Sequence, residues 1–360
     1  MGPGRGGPLV GVGDVTEIRR VASTLGADDD ARARIDEIFD PAPVTHVAAG
    51  DRRGVEAVLD QVDVAVLRGN AWPAFLDRPQ LRWVHCGHAG LDGYAPEQLI
   101  EQVVLTSSSG RSAQALAEHA VALTLALCHD LERFGRARRL RAWGVDGARD
   151  LRGLGSRTVL IVGTGHTGRA LARLLAAFGC RVVGFRRSAE PAEGFTDVRS
   201  IEGGDRLIDV VADVDVVVLA ASLNRSSLGM LDAEVLSAMR PGALLVNVAR
   251  GALVDEDALV AALRSGRLGG AALDVVTEEP LPVRHPLWSA PRLVMTPHVT
   301  PPVHDRAAAT LEILAENVRR YRSDQELFNR LGPSDALEPV SRRPIRRLDG
   351  VWRRMARRFV

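Results

Sequence analysis

Thr158-Val-Leu-Ile-Val-Gly163-Thr-Gly165-His166-Thr167-Gly168 places three glycines at the spacing of a phosphate-binding turn. Gly163 permits a tight bend, Gly165 lets backbone approach a pyrophosphate, and Gly168 lets helix and strand pack closely. The phosphates would meet the unpaired N–H groups of the helix that opens at His166, Thr167 and Gly168. Further on, where a free ribose 2′-hydroxyl is normally met by an acid about 20 residues past the turn, the chain has Gly184-Phe185-Arg186-Arg187-Ser188. Two guanidiniums and a hydroxyl suit a 2′-phosphate, which an acid would repel. The expectation is therefore NADP (NADPH) in preference to NAD, the other reading of this stretch being a solvated basic turn.

These groups need elements to hold them. The apolar run before Gly163 predicts a buried parallel strand, and Leu171, Leu174 and Leu175 give Arg169 to Phe178 a helical period. A second strand is expected over Arg181 to Phe185, which turns a three-glycine motif of low specificity into a dinucleotide-binding unit. Further strand-like runs at Val214 to Leu219, Ala243 to Val248, Ala271 to Val276 and Leu293 to Met295 predict a doubly wound α/β sheet of the Rossmann kind. Earlier runs at Val62 to Leu67, Leu81 to Cys86 and Val103 to Thr106, with a helical pattern over Ala31 to Phe39, predict a smaller α/β unit. A long apolar helix over Ala113 to Leu131 leads from one to the other, and the helical pattern Asp305 to Tyr321 returns to the first. The expected division is 1–112 with 302–330, a discontinuous substrate-binding domain; 113–301, the NAD(P)-binding domain; and 331–360, a basic tail. A chain of 360 residues is long enough for two cores.

Three charged or titratable groups follow, each just past a strand-like run, where open α/β sheets place their ligands. They are Arg250 in Leu245-Val-Asn-Val-Ala-Arg-Gly-Ala-Leu-Val-Asp255, Glu279 in Ala272-Leu-Asp-Val-Val-Thr-Glu-Glu-Pro280, and His298 in Thr296-Pro-His-Val-Thr300. Singly, each has a plain structural explanation; their order and flanking strings are what is specific. With them, the chain from about Val62 to about Tyr321 resembles the D-isomer-specific 2-hydroxyacid dehydrogenases, and the smaller unit is then expected to be flavodoxin-like.

The resemblance implies that His298 is the acid/base that protonates the developing alkoxide. It makes Glu279 the carboxylate that orients this imidazole and favours its charged form. Arg250 would hold the substrate carboxylate and polarise the carbonyl. Ala249 and Asp274, at two strand ends, are expected to line the cofactor. His85-Cys86-Gly87-His88-Ala89-Gly90 resembles the family's carboxylate-binding loop, Ala89 and Gly90 supplying backbone amides as an anion nest does. Arg68 stands where some members contact substrate. Ala117-Glu118-His119 matches a helix string, for which ordinary polar helix residues are an equally good reading. His85, Cys86 and His88 raise the question of metal, but no further ligand cluster follows, and none is expected. Arg136 to Leu151 resembles a dimerisation arm, so a homodimer is expected, with Trp143 as an anchor.

Departures from the family pattern bear on the substrate. Ser222-Leu-Asn224, Val276, His88 and Thr300-Pro301-Pro302 stand where the family has other residues, which alters pocket size and hydrogen bonding without removing a reacting group. The acid at Glu279 argues against a formate dehydrogenase, which has an amide there. The resemblance points to interconversion of a small 2-oxo acid, in the glyoxylate or hydroxypyruvate range, and its D-2-hydroxy acid. A nucleotide-sensing corepressor-like protein and a dehydrogenase of another oxyanion such as phosphite are the alternatives, since fold alone does not separate them.

A formal charge of +1, three cysteines and no long apolar stretch predict a cytoplasmic protein without disulfides or membrane spans. From Ser341 on, arginine pairs alternate with Trp352, Met355 and Phe359, the composition of a basic amphipathic helix. Docking on its own subunit or disorder is expected there ahead of contact with nucleic acid or membrane.

Overall fold

The computed structural model describes residues 17–26, 28–69, 78–88, 91–92, 103–143, 151, 153–299, 306–332 and 335–337. Two sheets dominate them.

The first is built from β1 (Val21–Ser23), β2 (Val44–His46), β3 (Val64–Leu67), β4 (Trp83–Cys86) and β5 (Val104–Ser107), with α1 (Asp29–Phe39) and α2 (Arg52–Leu59) as crossovers. Its parallel order β2-β1-β3-β4-β5 is that of a flavodoxin-like unit. β3 and β4 are buried at every position, as strands covered on both faces must be. On one face Ala22, Leu59, Ala65 and Val84 pack together; on the other Val21, Phe39, Val66 and Trp83 do.

The chain leaves this sheet through α3 (Ala113–Cys128) and α4 (Leu131–Arg139). The long helix expected over Ala113 to Leu131 is thus interrupted: Asp130 turns into the left-handed region at φ 48°, and Leu131 begins a second helix. Leu131 and Leu140 are exposed and Trp143 is fully so, and α4 buries no residue.

The second sheet comprises β6 (Thr158–Val162), α5 (His166–Ala177), β7 (Arg181–Arg186), β8 (Asp197–Ser200), α6 (Leu207–Val211), β9 (Val216–Leu219), α7 (Ala233–Ala238), β10 (Leu244–Asn247), α8 (Glu256–Arg264), β11 (Gly270–Leu273) and β12 (Leu293–Met295). All pairings are parallel, in the order β12-β11-β10-β9-β6-β7-β8. The direction of winding reverses between β6 and β9, which makes that crevice the binding position of a doubly wound sheet. The strand expected to reach Val276 ends at Leu273: beyond it the Asp274 carbonyl takes the His298 N–H, and the Val276 and Thr277 N–H groups bond to the carboxylates of Glu279 and Glu256.

α9 (Arg306–Arg322) then returns to the first sheet, where Leu314, Val318 and Tyr321 join the Trp83 side of its core. β13 (Arg330–Leu331) closes that sheet, antiparallel to β5. The chain is still paired at Ala336–Leu337, beside Leu91–Asp92. Ala89 and Gly90, Thr300 to Pro302, the arm over 144–150 and the arginine-rich segment from Ser341 lie outside the described residues. No described helix is long and apolar enough to cross a membrane.

Candidate active site

The phosphate turn is shaped by side chains that are absent. Gly163 has φ 102°, and a Cβ there would stand 2.7 Å from the backbone of Ala220 and Ala221, across the β6–β9 crevice. A Cβ on Gly168 would stand 2.0 Å from the Gly163 carbonyl oxygen. Only glycine lets the first turn of α5 approach the strand this closely. Asp28, Asp51, Asp232 and Asp255 cap α1, α2, α7 and α8 through their carboxylates, whereas Gly165 caps α5 with no side chain. The N–H groups of His166, Thr167 and Gly168 therefore remain for an anion, and the turn fits a dinucleotide pyrophosphate.

The His166 imidazole does not share in this. Its Nε2 lies 2.9 Å from Oδ1 of Asn329, whose amide donates to the carbonyls of Ser107 and Ser109 on the first sheet's side. The expectation for His166 concerned its backbone N–H; its side chain ties the phosphate turn to the neighbouring unit. At the end of β7, Arg186 donates to the Glu190 carbonyl at 3.1 Å and faces the Glu190 carboxylate at 3.7 Å. Arg187 is exposed beside it and Ser188 half-buried.

The three titratable groups come from three loops that are bonded to one another. After β10, buried Asn247 accepts from the Ala249 N–H and donates to the Arg250 carbonyl, which fixes the turn that presents Arg250; its guanidinium returns a bond to the Ala249 carbonyl at 2.8 Å. A Cβ on Gly251 would lie 2.0 Å from the Val276 carbonyl carbon, so this loop packs directly on the segment leading to Glu279. Glu279 accepts from the Val276 N–H with Oε1 and meets Nδ1 of His298 with Oε2 at 2.7 Å. The His298 N–H donates to the Asp274 carbonyl at 2.8 Å, and the Val299 N–H to Oδ1 of Asp274 at 3.0 Å.

His298 is 51% exposed, so its ring is both held and accessible. The hydrogen bond that His298 donates to Glu279 raises its pKa above the ordinary imidazole value; partial burial and the Arg250 charge oppose this, and the charges of Glu279 and Asp274 assist it. The arrangement can keep a proton to higher pH than a free imidazole and give it up beside a permanent cation.

On the first sheet, Arg68 is exposed at the end of β3, its N–H donating to Thr24 Oγ1. Gly87 brings the loop after β4 against it, since a Cβ there would be 2.5 Å from the Arg68 carbonyl oxygen. His85, beneath this loop, is fully buried with its ring nitrogens 2.9 Å from Thr106 Oγ1 and 3.0 Å from Ser108 Oγ. Burial lowers its pKa to about 4, with the Arg111 charge assisting. A neutral ring bonded at both nitrogens is a support for the loop. Its signal in the sequence, a histidine inside an apolar strand, was visible without its partners.

The family model of the D-isomer specific 2-hydroxyacid dehydrogenase NAD-binding domain matches residues 121–300. The chain is also 31% identical to the glyoxylate reductase of Pyrococcus furiosus, over 69% of this chain and 75% of that one. The chain belongs to the D-isomer specific 2-hydroxyacid dehydrogenase family. Its members are NAD(P)-dependent oxidoreductases acting on the CH–OH group of small 2-hydroxy acids. A D-3-phosphoglycerate dehydrogenase of Mycobacterium leprae is 30% identical over 82% of this chain, which spans 56% of that relative's length. Among solved structures, a family dehydrogenase from Xanthobacter autotrophicus Py2 in complex with NADPH and MES has a TM-score of 0.73 and 29% identity, covering 88% of this chain and 99% of that one.

Proposed function

We propose that this dehydrogenase reduces a small 2-oxo acid, in the glyoxylate or hydroxypyruvate range, to the D-2-hydroxy acid with NADPH. The observation that carries the proposal is the 2.7 Å contact between His298 and Glu279 beside Arg250. When bound, the reduced nicotinamide supplies the hydride. Gly163, Gly165 and the N–H groups from His166 to Gly168 hold its pyrophosphate, Arg186, Arg187 and Ser188 the 2′-phosphate, and Ala249 and Asp274 line its inner end. Arg250, with Arg68 and the amides of Ala89 and Gly90, holds the substrate carboxylate. The Arg250 guanidinium also steadies the negative charge that grows on the carbonyl oxygen. His298, protonated and oriented by Glu279, gives that oxygen its proton, and in the reverse direction takes it back.

Separate sheets and cores support a substrate unit of 1–112 and 302–330 beside a nucleotide unit of 113–301. Exposed Leu131, Leu140 and Trp143 support pairing of two copies through this arm. Titrating purified protein with NADPH and NADH against a panel of 2-oxo acids tests the function. Turnover of glyoxylate or hydroxypyruvate is expected; cofactor binding with no turnover across the panel would favour a sensing protein instead.

A further inference from the structure

His119 is a polar residue on a helix that contributes mainly apolar side chains to the core: its neighbours Ala117, Ala120, Val121 and Leu123 are all buried. Its own side chain is only 11% exposed. A buried imidazole needs a partner, and this one has two: Nε2 lies 3.1 Å from Thr296 Oγ1 and 3.3 Å from Oδ1 of Asp274. The Thr296 hydroxyl donates to that same Asp274 oxygen at 2.6 Å. With its one proton committed there, Oγ1 accepts from the His119 N–H.

Asp274 is 1% exposed, and a carboxylate so buried is tolerated only when donors surround it. Its surroundings lead directly to His298. Asp274 Oδ1 takes the Val299 N–H and its carbonyl takes the His298 N–H, so the two peptide groups flanking the His298 α-carbon are both clamped by one residue. His298 also sits at φ 51°, in the left-handed region that a residue with a side chain keeps only when surrounding bonds over-determine it.

We infer that His119 is a positioning residue for proton transfer: through Thr296 it fixes the Asp274 carboxylate, which in turn fixes the backbone that aims His298 at Glu279 and the substrate. The inference rests on His298 being the acid/base. His119 touches neither substrate nor the reacting atoms. It acts on how well His298 is aimed, and therefore on kcat.

The test compares His119→Leu, His119→Gln, Thr296→Val and the His119→Leu/Thr296→Val double variant with wild type and His298→Ala. Each is assayed for kcat, for KM of the 2-oxo acid and for NADPH dissociation, and its thermal midpoint is recorded. His119→Leu and Thr296→Val should each lower kcat about tenfold, as expected for a modest misplacement of a reacting group. KM and NADPH affinity should stay within about twofold of wild type, since uniform binding is untouched. His119→Gln keeps an N–H donor at the Nε2 position and should recover most of kcat. The double variant should be no slower than the slower single variant, because both changes break one chain of contacts. If His298→Ala is inactive while His119→Leu keeps wild-type kcat, the inference fails and the function stands. If His298→Ala is fully active, the acid/base assignment of His298 fails, and the inference that rests on it fails too. A loss confined to NADPH affinity, or additive losses in the double variant, would overturn the positioning role. Should His119→Leu not fold, Thr296→Val and His119→Gln carry the same comparison.

Discussion

Gly163, Gly165 and Gly168 lie within one short stretch of chain and act through side chains they lack, whereas Arg250, Glu279 and His298 come from three loops and, in the proposed function, act through side chains brought to one place. At the phosphate turn, the missing Cβ atoms clear the way to backbone N–H groups that no carboxylate caps. At the acid/base end, Asn247, Gly251 and Asp274 bond or pack one loop against the next until a histidine and a glutamate stand 2.7 Å apart. Binding a phosphate needs only donors and space. Moving a proton needs aim, and aim is built from contacts between distant segments.

The comparison predicts that damage at the acid/base end spares binding and damage at the turn spares chemistry. The largest effect is expected for His298→Ala, which should lower kcat for 2-oxo acid reduction by about 10²–10⁴-fold. Fluorescence titration should show NADPH still binding to this variant. Arg250→Ala should lower kcat/KM by about 10²–10³-fold, raising KM and reducing kcat together, since the proposal has it serve both carboxylate and growing charge. A change in cofactor affinity alone would remove it from the substrate. Gly168→Ala inverts the pattern: crowding at the turn costs on the order of 1–3 kcal/mol. NADPH affinity and the thermal midpoint should both drop, while kcat at saturating NADPH is largely kept.

Smaller effects sharpen the cofactor side. Neutralising Arg186 and Arg187 together should weaken NADPH by tenfold or more, on the order of 1.5–3 kcal/mol for a charged hydrogen bond, and leave NADH nearly unchanged. Equal weakening of both cofactors would defeat the 2′-phosphate role. Because Glu190 holds Arg186 in a long ion pair whose acid is exposed, Glu190→Gln should tighten NADPH by only about twofold to fivefold, as suits a pair worth under about 1 kcal/mol.

The same contrast explains what could be read from the sequence. The turn and its flanking strands are local, so their spacing exposes them, and buried runs such as Val216–Leu219 announce themselves by composition. The order Arg, Glu, His was legible through its flanking strings. β1 and β2 have only three residues each, and β8 is an edge strand reading Asp-Val-Arg-Ser, so none carries an apolar signal; their neighbours recruit them. The break between α3 and α4 was hidden because Leu131 continues the apolar period across a left-handed Asp130. His119 carried a helix string but no hint of its role, since Thr296 lies 177 positions away. His166 shows the converse, a motif position whose side chain serves Asn329, 163 positions away.

The most direct test of the account is the pH dependence of kcat for 2-oxo acid reduction in wild type and Glu279→Gln. In the proposed function reduction requires protonated His298, and the Glu279 bond raises its pKa, so wild-type kcat should hold to a pH above the ordinary imidazole value and fall as pH rises through the raised one. Oxidation of the hydroxy acid should show the opposite limb, rising over the same range. In Glu279→Gln the fall in reduction should move to lower pH. An unmoved profile, or a wild type whose reduction gains speed as pH rises through this range, would contradict proton donation by a Glu279-held His298.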